Sequence, residues 1–118
     1  MKKVAIVGSR NYPNLDLVDA YVRALDPECV IVSGGAQGVD LTAEHAAESV
    51  GIKTIIHLPD WSQGKGAGFI RNSLIVADAD IIVCFWDGIS RGCIDTVLKA
   101  KKAGKPYEIY GPSGERLR

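Results

Sequence analysis

Cysteine is scarce in this 118-residue chain: three residues, at positions 29, 84 and 93. Their number is odd, their spacing is wide, and no Cys-x-x-Cys pair or Cys/His cluster accompanies them. A disulfide framework and a zinc site are therefore both excluded as readings. Net charge is lacking too, since 14 Lys and Arg balance 14 Asp and Glu. A neutral domain has no global attraction for nucleic acid or anionic membrane. No apolar run approaches the roughly 20 residues of a membrane span. Only four apolar residues separate Met1-Lys2-Lys3 from Gly8, too few for a secretory leader. Walker A and G-x-G-x-x-G motifs are both missing, which sets aside P-loop ATPases and dinucleotide dehydrogenases. Repeats and low-complexity segments are also missing. The expectation is a reduced, cytoplasmic protein without metal, cofactor or membrane association.

What is present is ordinary in bulk and uneven in detail. A hydrophobic content of 47% and a charged content of 24% are globular values. This length reads as one domain, residues 1–118, burying roughly two-thirds of its unfolded surface. The polar end, Gly111–Arg118, reads as a frayed tail. Residues 1–90 hold 7 basic and 11 acidic side chains, whereas residues 91–118 hold 7 and 3. An electrostatic partner is thus expected to meet the C-terminal quarter first.

Short β-branched runs alternate with segments of helical period. Val4–Val7, Val30–Val32, Thr54–Ile56 and Ile81–Phe85 are apolar on both faces, the mark of parallel strands covered on each side. Between them Leu15, Val18, Val22 and Leu25 recur at helical spacing, as do Val39, Ala43, Ala46 and Val50. Ile70, Leu74 and Ala77 form a third stripe, and Ile94, Val97 and Leu98 a fourth. Gly51 and Gly104 read as helix stops. A last strand near Pro106–Tyr110 suits a sheet edge, where proline costs least. With right-handed crossovers this βαβαβαβαβ order predicts an α/β, three-layer, Rossmann-like doubly wound sheet: five parallel strands in the order 3-2-1-4-5.

Ligands of such sheets bind beyond the carboxyl ends of the strands, near the switch point. Gly8-Ser9-Arg10 follows strand 1, Ser33-Gly34-Gly35-Ala36-Gln37-Gly38-Val39-Asp40 follows strand 2, and Asp87-Gly88-Ile89-Ser90-Arg91-Gly92-Cys93 follows strand 4. Each run enters a helix, where free amides and the positive dipole end favour an anion. The loop Leu58–Gly68 adds Trp61 as a stacking face and Lys65 as a cation, ahead of Arg71 and Asn72. Two readings of this loop stand side by side: a lid over base and phosphate, or a surface loop whose Trp61 packs on the body.

Taken in order, Gly8-Ser9-Arg10, Gly34-Gly35-Ala36-Gln37-Gly38-Val39-Asp40, Asp60-Trp61, Gly64-Lys65, Ala67-Gly68, Arg71-Asn72 and Asp87-Gly88-x-Ser90-x-Gly92 resemble the YspA/YpsA-related branch of the SLOG superfamily. That superfamily includes the Smf/DprA proteins and the LOG phosphoribohydrolases, and its Rossmann-like fold binds nucleotides or molecules derived from them. The resemblance implies that Gly34, Gly35 and Gly38 bring amides to a phosphate, and that Asp40 accepts from a ribose hydroxyl or orients Arg10. It also implies that Arg71, with Asn72, binds phosphate or ribose 5-phosphate, and that Gly92 and its neighbours form a second phosphate loop.

Two departures from the LOG pattern matter. Aligning Gly92 with the third glycine of P-G-G-x-G-T-x-x-E puts Cys93 on the Thr and Thr96 on the Glu. Asp95, one residue away, points about 100° around a helix from that place. Hydrolysis of an N-glycosidic bond would then rest on Arg71 with Asp40 or Asp87 as the catalytic candidates. Cys93 is either a small residue filling the place of a polar one or a thiol activated at a helix N-terminus. His57, at the end of strand 3, is a further acid/base candidate, while His45 has no partner at ligand spacing.

The leading expectation is a nucleotide-binding sensor or carrier for a nucleotide-derived small molecule. A phosphoribohydrolase is the alternative, and single-stranded DNA binding the third. Neutrality argues against a nucleic-acid partner, and a homodimer is implied by the LOG relatives.

Overall fold

A computed structural model describes residues 2–118. Strand β1 (Lys3–Gly8) lies at the centre, between β2 (Val30–Ser33) and β4 (Ile81–Phe85). Strand β3 (Lys53–Ile56) and strand β5 (Tyr107–Tyr110) form the edges, giving the order β3-β2-β1-β4-β5 with every pairing parallel. Helices α1 (Leu15–Arg23) and α2 (Val39–Ser49) cover one face, and α3 (Ala67–Asp78) and α4 (Arg91–Lys102) the other.

The period of two along each strand splits the core. Val4, Ile6, Ile31, Val83 and Phe85 face α1 and α2 and meet Val18, Val22, Val39 and Ala43. Ala5, Val7, Val32, Ile82 and Cys84 face α3 and α4 and meet Ile75, Val76, Val97 and Ala100. Phe85, fully buried, stacks on Tyr110 with centroids 5.2 Å apart and takes edge contacts from Tyr12 and Tyr21.

The third predicted stripe is corrected. Ile70 and Leu74 are 48% and 51% exposed, and α3 turns Ala67, Asn72, Ile75 and Val76 inward instead. The inner face carries a buried asparagine, so an apolar-only periodicity locates the opposite side of the helix. Likewise Leu98 is exposed, while Cys93, Thr96, Val97 and Ala100 form the inner face of α4.

The frayed tail is corrected as well. Tyr110 bridges Arg116 in antiparallel fashion, and the Leu117 amide donates to the Ile109 carbonyl at 2.7 Å. Tyr12 Oη donates to the carbonyl of the buried Gly111. Residues 111–118 therefore turn back along β5 and supply its outer edge with hydrogen-bond partners. Lys105, just past α4, donates to the Val76, Ala77 and Ala79 carbonyls at the end of α3. Among the described residues no helix is long and apolar enough to cross a membrane.

Core and surface assignments separate in a denaturation experiment. Phe85→Ala is expected to cost about 3–5 kcal/mol in urea unfolding, and Leu74→Ala less than about 0.5 kcal/mol. Equal losses would contradict the assignment of α3's faces.

Candidate functional site

The strand directions place the ends of β1, β2 and β4 on one rim, and α2, α3 and α4 begin there. α1, which follows β1, is capped by the Asn14 side chain. The N-termini of α2 at Gly38, α3 at Gly66 and α4 at Ser90 carry no side-chain cap among the described residues. The Leu41 and Ala67 amides donate to the Ala36 and Gly64 carbonyls, and the other leading amides of these helices have no side-chain partner among the described residues. A cavity of about 760 Å³ opens between the starts of α2 and α4, with Arg71, Asn72 and Ile75 of α3 in its wall.

The loop after β2 is gripped from two sides. Arg71, from α3, donates Nη1 to the Gly34 carbonyl at 2.5 Å. Asp40, from the first turn of α2, accepts from the Ala36 amide at 3.3 Å. A side chain on Gly34 would collide with both the Arg71 guanidinium and the Asp40 carboxylate. Gly38 takes φ +82° and packs its α-carbon against the Arg10 carbonyl, so a larger residue is excluded on both counts. Ser33, fully buried, donates to Glu44 at 2.6 Å and fastens the end of β2 to α2.

On the other side of the cavity, Ser9 Oγ accepts from the Asp87 amide at 3.0 Å and lies 3.4 Å from Cys93 Sγ, joining the β1 and β4 loops. The Asp87 carboxylate accepts from the Ile89 and Ser90 amides, closing the turn before α4. Asn72 holds α3 to α4: its Nδ2 donates to Asp95 at 3.1 Å and to the Gly92 carbonyl at 3.4 Å, and its Oδ1 accepts from Arg71 Nε.

The electrostatics follow from burial. Asp40 is 4% exposed, and desolvation pushes its carboxyl up to about 7 against the opposing pull of the Ala36 amide and Arg71. The Arg71 guanidinium is lowered chiefly by desolvation, with Arg10 adding to the shift and Asp40 opposing it. At Asp87 burial acts upward, but the hydrogen bonds from Ser90, Ile89 and Ser9 prevail and hold it below the usual carboxylate value. Neither Arg10 nor Arg71 forms an ion pair with a carboxylate among the described residues.

The cavity wall brings together Gly8, Arg10, Gly34, Gly35, Ala36, Asp40, Trp61, Arg71, Asn72, Asp87, Ser90, Gly92 and Cys93. The buried Ser9 and Ser33 are not part of the wall, and neither are Gly38, the exposed Gly88 or Lys65. His57 is also elsewhere: its Nε2 lies 3.0 Å from Asp78, which also holds Lys3. Leu58 and Ile89 line the mouth without having been singled out, exposed by 69% and 84%. An isolated aliphatic residue in a loop carries no sequence signal for such a role. Trp61 is 60% exposed at the same mouth, so its indole is not packed into the body. At the place of the LOG glutamate, the buried Thr96 donates to the Gly92 carbonyl. Asp95 is engaged by Asn72 and Lys99.

Comparison with known proteins bears on the family and the fold. The model of the YspA, cpYpsA-related SLOG family matches residues 2–64, which carry the β1 and β2 loops. The chain belongs to that SLOG family. The Gene 61 protein of Mycobacterium phage D29 is 34% identical over 122 residues, covering 94% of this chain and 98% of that protein. DNA processing protein A (DprA) of Streptococcus pneumoniae shares the fold, with a TM-score of 0.79 at 24% identity over 94% of this chain. This SLOG chain spans half the length of that DprA. DprA of Helicobacter pylori, whose structure was described for its single-stranded DNA binding mode, gives a TM-score of 0.80 at 27% identity. That match covers 99% of this chain and 67% of that one.

The raised Asp40 value has a pH signature. The folded protein holds this proton more tightly than the unfolded chain, so the associated stability is complete below 3.8 and is lost as pH rises through about 7. Asp40→Asn keeps an acceptor for the Ala36 amide and removes the titration. The stability of the wild type relative to the variant is expected to fall across that window and then level, as read from melting temperatures in a pH series. Parallel profiles would show that Asp40 is not buried as described.

Proposed function

We propose that the rim cavity binds a phosphate-bearing nucleotide, the phosphate resting on the amides of the Gly34–Asp40 loop and between Arg10 and Arg71. The observation that carries this reading is the meeting in one cavity of two guanidiniums without carboxylate partners and the starts of α2 and α4, which carry no side-chain caps. A volume of about 760 Å³ is in the range of small-molecule sites. The mouth formed by Leu58, Trp61 and Ile89 offers an apolar and aromatic surface to a base. Sensing or carriage fits this arrangement better than N-glycosidic hydrolysis. Thr96 and the engaged Asp95 leave no free carboxylate at the position implied by the LOG resemblance, and Asp87 is occupied in closing its turn.

In a second reading, the bound nucleotide is one unit of single-stranded DNA. The similarity to the H. pylori protein favours it, whereas the neutral composition argues against a long polyanion.

One experiment separates the readings. Thermal shift with AMP, and fluorescence anisotropy with labelled oligo(dT) at low salt, are measured for the wild type and Arg10→Glu. AMP is expected to raise the melting temperature, and Arg10→Glu to weaken it by about 10-fold or more. Oligo(dT) binding that AMP displaces would assign the cavity to a DNA nucleotide. No response to either probe, or identical binding by Arg10→Glu, would overturn the phosphate assignment.

A further inference from the structure

Arg10 reaches the cavity from the tip of a tight turn whose two ends are held from outside the cavity. The Tyr12 amide donates to the Ser9 carbonyl at 3.3 Å, closing a four-residue turn with Arg10 and Asn11 at its tip. Both tip residues are exposed and line the cavity, whereas Ser9 and Tyr12 are 2% and 3% exposed. No carboxylate pairs with the Arg10 guanidinium among the described residues, so the turn beneath it sets where that charge stands.

The two ends have different anchors. The Ser9 amide donates to the Phe85 carbonyl at 3.1 Å and its hydroxyl accepts from the Asp87 amide, which fixes this end to the exit of β4. Tyr12 is fixed by the C-terminal segment. Its Oη donates to the Gly111 carbonyl at 2.7 Å, and its ring meets Phe85 edge-on with centroids 5.7 Å apart. Desolvation raises the Tyr12 hydroxyl above its ordinary value, so it remains a donor at neutral pH. The acceptor is held in turn. The Gly111 amide donates to the Glu115 carbonyl at 2.8 Å, and Pro112 lies beside Gly88 in the loop before α4. A side chain on Gly114 would meet Asn14, the cap of α1, and Leu17. Residues 111–114 therefore touch both the connection that carries Arg10 and the loop that carries Asp87. Neither Tyr12 nor any of residues 111–118 lines the cavity.

We propose that Tyr12 is a positioning residue for Arg10, through which the returning C-terminal segment shapes the nucleotide site without touching the ligand. This role rests on the reading of the cavity as a phosphate site. Its physical basis is preorganisation: a turn held at both ends has less freedom to lose when an anion settles on its tip. Tyr12→Phe keeps the ring against Phe85 and removes only the hydroxyl. One end of the turn is then untied, and the buried Gly111 carbonyl loses its donor.

A double-mutant cycle on the full chain separates positioning from general destabilisation. AMP affinity is read by NMR titration for the wild type, Tyr12→Phe, Arg10→Ala and the double variant, at a temperature where urea unfolding shows all four folded. Tyr12→Phe is expected to weaken AMP about 3–10-fold in the wild-type background and to change nothing beside Arg10→Ala. Backbone ¹⁵N relaxation without ligand is the second measurement. The Arg10 and Asn11 amides are expected to gain ps–ns motion in Tyr12→Phe. Equal weakening in both backgrounds, no weakening in either, or Arg10 and Asn11 amides of unchanged order would each overturn the positioning role. Each would leave the phosphate reading standing, because wild-type binding of AMP tests that reading by itself. Failure of the wild type to bind AMP would overturn both.

Discussion

The hydrogen bond from Arg71 to the Gly34 carbonyl is the interaction on which the rim depends. It crosses from the α3/α4 layer, over the end of the sheet, to the loop that starts α2 on the other face. Asn72, the next residue, performs the matching task toward α4 through Asp95 and Gly92. Two consecutive residues of one helix thus fix the separation of the β2 and β4 loops, and so the width of the cavity. Fixing that width before a ligand arrives lowers the ordering cost of binding.

Burial at this junction also sets its charge. Asp40 lies close enough to Arg71 to influence it, yet no direct ion pair forms between them. A fully charged carboxylate beside the loop amides would repel a phosphate. Burial raises Asp40 toward neutrality and lessens that repulsion, while Arg10 and Arg71 remain cationic. On the proposed reading, local geometry builds an anion site in a chain with no net charge, which bulk composition cannot show.

Much of the fold was legible because its physics is repetitive. Val4–Val7 and Ile81–Phe85 are covered on both faces, and continuous apolar runs announce such strands directly. The glycine-bearing loops were legible because tight turns and close approach restrict residue choice. Three things were not. The inner face of α3 contains Asn72, which hydropathy assigns to solvent. The return of residues 111–118 depends on Tyr12, almost the whole chain away, whose hydroxyl meets Gly111. His57, an acid/base candidate at the end of strand 3, pairs instead with Asp78, a partnership between distant residues that no local pattern encodes.

The central claim is that a nucleotide phosphate rests on the amides of the Gly34–Asp40 loop between Arg10 and Arg71, in the cavity whose opposite wall is the start of α4. Backbone amide NMR of the ¹⁵N-labelled protein titrated with AMP addresses it most directly. The account predicts saturable shifts concentrated at residues 34–40 and 90–93, with the Arg10 and Arg71 side-chain Nε–H signals moving on the same isotherm. Shifts confined to other surfaces, or an unchanged spectrum at saturating AMP, would contradict it.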